Sequence, residues 1–371
     1  MDIFKDLETV TGAEVIHHFK LTGKNVYLIG EDHYFNGVKN HPYIVDTILH
    51  SPRELTLLLE CGTQEVFTTA ESVRHNGKSK SPTQEVAYRF INQPFTIRND
   101  IRLADIRRDD PFSVLEIMTS FDSYLFMNKH HQVSSLKSYK ALLKKAKMFE
   151  KEAFDHFKSR TGMERFVLGL IHPERKHPVW FSKWCSAFGH SGEEHAIKDE
   201  LRQLRTKDGQ LYDLIVKFIR DQLDYQLLDV TIFSRVMESM EKERRTASVN
   251  MMLDKSVPLN TFFVSLFGLV MDVNILLRTF QVQTDICILA GAQHVFNIAQ
   301  VLKNHENLFT TAYTIKMNPM GYFILDEKTA LDVTNPLLSP EELLKEHKKT
   351  EISQVIFACS HSARNLQNKW H

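Results

Sequence analysis

Five short apolar runs, nearly free of charge, constrain the fold more than any other feature of the chain. They are NVYLI (25–29), LTLLLE (55–60), IRLADI (101–106), DICILA (285–290) and FTTAYTI (309–315). Strands covered by helices on both faces lose the usual inside–outside alternation, and such strands pair mainly in parallel. Helix-length amphipathic segments follow the first and fourth runs. VKNHPYIVDTILH (38–50) opens near Pro42, and QHVFNIAQVLKN (293–304) places Val295, Ile298, Val301 and Leu302 on one face, so each reads as the crossover helix of a βαβ unit. From Pro111 to Phe280 no strand pattern occurs. Helical periodicity recurs there over 111–130, 134–158 and 209–245, and breaks rich in Pro or charge at 78–82, 172–178 and 256–260 mark the joints.

The expected fold is therefore α/β: a mixed, mainly parallel central sheet of five or six strands, built from N- and C-terminal βαβ units, with a large helical insertion acting as a cap. The expected parts are a first α/β half over 1–110, the insertion over 111–280, a second half over 281–336 and a tail over 337–371. The tail carries one helix in SPEELLKEHKK, with Ser339 as N-cap and Pro340 at the first helical position.

Composition removes several classes of function. The 46 Lys and Arg balance 46 Asp and Glu, so no broad field exists to attract nucleic acid or an anionic membrane surface. Cys61, Cys185, Cys287 and Cys359 are widely spaced, with no CxxC pair, which argues against a disulfide framework or zinc ribbon and for a reducing compartment. The start, MDIFKDLETVTG, lacks the basic-then-apolar pattern of a secretory signal. The longest apolar run, 261–277, contains Asp272 and Asn274 and is shorter than the roughly 20 residues of a membrane helix. A cytoplasmic protein with a buried helix at that position is expected. P-loop, Rossmann glycine, GxSxG and HExxH patterns are missing from the sequence.

Chemistry concentrates where strands end. Gly followed three residues later by His occurs at 30–33 (GEDH), 169–172 (GLIH), 192–195 (GEEH) and 291–294 (GAQH). With 14 Gly and 18 His in 371 residues, chance supplies roughly 0.7 such pairs, so the spacing carries little by itself. Context separates the copies. The first and last follow a strand and precede a helix, which puts Gly at a tight turn and His at the carboxyl edge of the sheet, where ligands bind in parallel α/β proteins. GLIH lies within a helical pattern and GEEH opens one, so both are expected to be structural. The two strand-end copies share a strand–GxxH–helix–strand frame that could set His33 beside His294. Glu60 ends the second strand, and Asp105 and Arg107 follow the third. Two imidazoles and a carboxylate suit a divalent metal or, without one, general acid–base work. Arg107 suits a substrate carboxylate or an oxyanion.

The set LIGEDH, LLLE, LADIR and ILAGAQH resembles the superfamily that unites TraB/PrgY and Tiki proteins, ChaN-like haem-uptake proteins and erythromycin esterases. Its pattern is GxxH after the first strand, Glu after the second, an Asp/Arg pair after the third and a final GxxH. The resemblance spans about 25–110 and 283–316. It implies a hydrolase of ester or amide (peptide) bonds, acting on a small-molecule or peptide substrate in a cleft between sheet edge and helical cap. His33, Glu60 and His294 would be its catalytic or metal-binding residues, with Glu31, Asp105 and Arg107 in support. The implied cofactor is a divalent metal (Mn, Co or Zn; manganese or cobalt in Tiki members), or none, as in the esterases. No nucleic acid or membrane partner is implied, and a homo-oligomer is left open.

Plainer readings stand beside these. His33 and Glu31 could cap the following helix, Glu60 could be a solvated strand-end acid, and His294 could be an ordinary first-turn residue. Asp105 and Arg107 could form a structural ion pair. Cys185, His190 and His195 lack a fourth ligand for zinc. A catalytically inactive binding or scaffold protein of the same fold, or a haem-binding protein using His or Tyr34, are the alternatives to a hydrolase.

Overall fold

All five apolar runs form strands in the computed structural model, which describes residues 3–4, 7–21, 23–31, 38, 40–51, 53–61, 81–92, 99–107, 112, 156, 159–187, 195–223, 257–304 and 309–330. They are β3 (Lys24–Glu31), β4 (Leu55–Leu59), β5 (Asp100–Leu103), β6 (Asp285–Gly291) and β7 (Phe309–Lys316). β2 (Val15–Leu21) and β9 (Thr329–Ala330) complete a seven-stranded sheet in the order β5–β4–β6–β3–β2–β7–β9, and β1 (Thr9–Thr11) pairs with β8 (Tyr322–Ile324) in a small second sheet. The pairs β5–β4, β4–β6 and β6–β3 are parallel, whereas β3–β2, β2–β7 and β7–β9 are antiparallel. Five of the seven strands thus run in one direction, in a mixed and mainly parallel α/β fold.

The crossovers skip strands. β3 leads through helix α1 (Ile44–Leu49) and later segments to β4, and β6, from 225 residues further on, inserts between them. Glu31 on β3 is thereby in register with Gly291 on β6, and Leu59 on β4 with Leu289. This insertion brings the carboxyl ends of β3 and β6 together.

Helices cover both faces. Tyr27, Ile29, Leu57, Leu59, Cys287 and Leu289 share a core with Ile44, Val45 and Ile48 of α1 and with Val86 and Ala87 of α2 (Pro82–Asn92). Val26, Leu28, Ile286 and Ile288 alternate with them, are fully buried, and point to the opposite face. There α8 (Ala292–Lys303) packs on β3 and β6 and against α7 (Val257–Gln281). Each fully buried Leu, Ile or Val contributes about 1.5–3 kcal/mol, so the three central parallel strands, β4, β6 and β3, gain from both faces and need no polar side. β5, at the sheet edge, shows the contrast: Asp100 and Arg102 are exposed, while Ile101 and Leu103 are half-buried.

β2 is the strand that hydropathy conceals, because His17, His18 and Lys20 interrupt it. One nitrogen of each imidazole has a partner within the sheet. His17 Nδ1 lies 2.9 Å from Thr314 Oγ1, and His18 Nε2 lies 3.0 Å from Asn25 Oδ1, with the His18 ring stacked on Tyr27 at 4.5 Å.

Between 111 and 280 the described elements are all helical: α3 (Arg160–Ile171), α4 (Val179–Ala187), α5 (Ala196–Lys207), α6 (Gly209–Gln222) and α7. The helical patterns expected over 111–130, most of 134–158 and 224–245 lie outside the described residues, as does the tail helix at Ser339. The chain divides into two compact units, Met1–Leu331 and Asp332–His371, the second of which is wholly outside the described residues. Among the described residues no helix is long and apolar enough to cross a membrane.

Candidate active site

The carboxyl ends of β3, β6, β4 and β5 lie side by side at one edge, and four of the sequence-derived candidates meet there. Glu60 immediately follows β4, and its side chain is 7% exposed. Its Oε1 accepts a hydrogen bond from Arg107 Nη2 at 3.0 Å and lies 3.4 Å from His294 Nε2. Its Oε2 accepts the backbone N–H of Gly291 at 2.6 Å, at the start of α8 where the helix dipole favours negative charge. Arg107 in turn donates from Nε to Asp105 Oδ1 and from Nη2 to Asp105 Oδ2, both at 2.8 Å. Asp105 and Arg107 thus form the ion pair that their spacing allowed, and the same guanidinium bridges Asp105 to Glu60.

The far side of His294 is held by a residue that sequence reasoning did not assign to the site. Asp272, in α7, is 1% exposed and its Oδ1 accepts a hydrogen bond from His294 Nδ1 at 2.6 Å. Its Oδ2 accepts from Asn297 Nδ2 at 2.7 Å, and Asn297 Oδ1 accepts from Gln293 Nε2 at 3.0 Å. A signal existed in the sequence: an acid inside an otherwise apolar helix must find a charged or donating partner when buried. Asn274, two residues on, donates from Nδ2 to the Ala104 carbonyl at 2.8 Å, so α7 also fixes the start of the segment that carries Asp105 and Arg107.

The result is a row of five ionisable groups with alternating sign: Asp105, Arg107, Glu60, His294 and Asp272. Burial by itself would push His294 down, but the carboxylates of Asp272 and Glu60 on either side outweigh it and raise the imidazole to about 10. Burial would likewise raise Glu60, yet His294, Arg107 and the Gly291 N–H hold it well below the usual carboxylate range. At neutral pH the row contains an imidazolium between two carboxylates.

Glu31 belongs to a different arrangement. Strand alternation points it to the face of α1 and α2, where its Oε2 accepts the backbone N–H of Thr83, in the first turn of α2, at 2.9 Å. It is 3% exposed and serves as a remote cap for that helix. His33 and Tyr34 lie outside the described residues.

The motif glycines have reasons other than a tight turn. Gly30 is within β3, and a Cβ there would meet Val15 Cγ1 at 2.7 Å and the Ala292 Cα at 3.1 Å. Its bare backbone lets the first turn of α8 approach the sheet. Gly291 is the N-cap of α8 at φ −54° and ψ 145°, a conformation open to other residues. The expected turn at each Gly is thus replaced by close packing at Gly30 and a helix start at Gly291. The two other GxxH copies are structural, as expected: His172 is the C-cap of α3, and His195 is the N-cap of α5, with Nδ1 accepting the Ile197 N–H at 3.2 Å.

A divalent metal finds only part of a coordination sphere in this donor set. The 3.4 Å between His294 Nε2 and Glu60 Oε1 is close to the ~3.3 Å edge of a tetrahedral ion with bonds of about 2.0–2.1 Å. Glu60 Oε1 is already neutralised by Arg107, however, and among the described residues no three His, Cys, Asp or Glu side chains are grouped to hold an ion. Catalytic zinc sites take three protein ligands, so the described donors do not by themselves fit one, and no metal enters the chemistry below. No family model, curated protein or solved structure matches the chain.

Proposed function

We propose that the chain hydrolyses an ester or amide bond at the Glu60–His294 pair. The observation that carries this reading is the convergence of Arg107, Glu60, His294 and Asp272 at the carboxyl edge of four parallel strands, where α/β proteins bind ligands. A buried imidazolium is a proton donor: as the scissile bond breaks, it can protonate the departing alkoxide or amine, and Glu60 and Asp272 stabilise its charge meanwhile. Arg107 brings positive charge to the oxygen that becomes negative when water adds to the carbonyl. The water's proton must go to a second group. Of the two imidazoles that the GxxH pattern offers as base, the carboxylates around His294 suit it to the acid role and leave His33 for the base.

The overall step consumes one water and releases a carboxylic acid with an alcohol or amine. The pattern shared with the TraB/Tiki, ChaN-like and erythromycin esterase group supports the reaction class, as does retention of its Glu, Asp/Arg and second His in one hydrogen-bonded cluster. The test is a panel of generic esters and peptides, with and without chelator, run on the parent chain, His33→Ala and His294→Ala. Hydrolysis by the parent that drops about 10²–10⁴-fold in both variants supports the proposal. Turnover that is equal in all three, or undetectable in the parent, overturns it in favour of an inactive binding protein of this fold.

A further inference from the structure

A buried carboxylate from the helical middle of the chain, Asp272, touches the site. Asp272 and His294 come from helices on different sides of β6 in sequence, and both oxygens of the carboxylate are engaged with one face of α8: Oδ1 with His294 and Oδ2 with Asn297. Those two α8 residues are three apart, hence neighbours on the helix surface. Asn297, 4% exposed, is itself held by Gln293. One turn earlier in α7, Gly268 lies where a Cβ would touch His294 Cε1 at 3.5 Å. The imidazole is thus gripped at Nδ1 by Asp272 and flanked at Cε1 by the α7 backbone, which leaves Nε2 directed at Glu60.

We propose that Asp272 is a positioning residue for His294, with Asn297 as its brace, and that the pair holds a proton on Nδ1 and aims Nε2 at Glu60. Its consequence for turnover rests on the hydrolase reading above; its structural content does not. A carboxylate can only accept, so it fixes the proton on Nδ1 and fixes the ring plane. Asn297, donating to the second oxygen, stops the carboxylate from rotating away. An amide at 272 would break this logic. With its oxygen toward His294 its NH₂ would face the NH₂ of Asn297, and with its NH₂ toward His294 it would impose the opposite tautomer.

The alternative role is a strut that ties α7 to α8, and a swapped pair separates the two. Asp272→Asn combined with Asn297→Asp keeps a carboxylate–amide hydrogen bond between the helices but moves the carboxylate off His294. The parent, Asp272→Asn, Asn297→Ala and the swapped pair would be compared by thermal unfolding, by the side-chain ¹⁵N–¹H spectrum of His294, and by kcat and KM on whichever ester or peptide the parent turns over. The swapped pair is expected to recover most of the thermal stability lost in Asp272→Asn, yet to lack the Nδ1–H signal of the parent. Its kcat is expected to fall about 10²–10⁴-fold with KM within threefold. Asn297→Ala should keep the Nδ1–H signal and lose about tenfold in kcat.

Recovery of both the signal and kcat in the swapped pair would overturn the proposal and make Asp272 a strut. If Asp272→Asn does not fold, the swapped pair and Asn297→Ala decide the matter by the same readouts. A parent without turnover overturns the hydrolase reading alone, since the Nδ1–H signal still decides the positioning role.

Discussion

Replacing Glu60 by Gln tests the charge row through stability, without any knowledge of substrate. At an effective dielectric near 20, a unit-charge contact at 3.0–3.4 Å is worth about 5 kcal/mol before desolvation. Glu60 faces two cations, but each keeps another carboxylate, Arg107 with Asp105 and His294 with Asp272. Desolvation of a buried acid offsets several kcal/mol more. The net loss expected for Glu60→Gln is about 2–4 kcal/mol, and its pH dependence is more telling than its size. Glu60 is held below its usual value of 4.5, so its contribution is present above about pH 4.5 and disappears as acid titrates it in the folded chain. His294 is raised from 6.5 to about 10, so its contribution is complete below about pH 6.5 and declines as pH rises toward 10. The difference between parent and variant should therefore be largest between about pH 4.5 and 6.5 and shrink on both sides. Urea unfolding at five or six pH values from 3 to 10 reads this directly. A difference below ~0.5 kcal/mol that does not vary with pH would mean that Glu60 is a solvated strand-end acid, and the argument for an ionised row would fail.

Gly30→Ala should destabilise the fold by about 1–3 kcal/mol, because the added methyl meets Val15 and the backbone of Ala292, and the latter cannot yield without moving α8. Thermal unfolding checks this, and a neutral result would show that α8 does not rest on β3 there. Cys287 is fully buried in β6, where burial pushes its thiol up. It should resist iodoacetamide in the native chain and react after denaturation, as mass spectrometry of the modified peptides would show; fast native labelling would contradict the assignment of β6 to the sheet centre.

The central strands were legible because burial on both faces writes itself as an unbroken apolar run: LTLLL and DICILA each fold close to their expected limits. β2 was not, since His17 and His18 find hydrogen-bond partners in Thr314 and Asn25, which are distant in sequence or on a neighbouring strand. The same limit applies to the site. Glu60, Asp105, Arg107 and His294 could be placed because each follows a strand whose end the pattern reveals. Glu31 shares that position in the sequence but points to the other face and caps α2, a distinction that depends on strand parity and on where Thr83 arrives. Asp272 lies 22 residues from His294 in a helix without a motif. Only the cost of an acid inside an apolar helix marked it, and that cost names no partner. Gly30 was recognisable as special, but the reason, contact with the first turn of α8, requires β6 to insert beside β3.

The most direct measurement is the ionisation of His294 itself, followed through its side-chain ¹⁵N resonances from pH 5 to 10.5 with His294→Gln used to assign them. With Asp272 and Glu60 on either side of the ring, both nitrogens should remain protonated through neutrality, with deprotonation only toward about pH 10. A midpoint near 6.5, or a neutral ring at pH 7, would contradict the acid role and with it the division of labour proposed for this site.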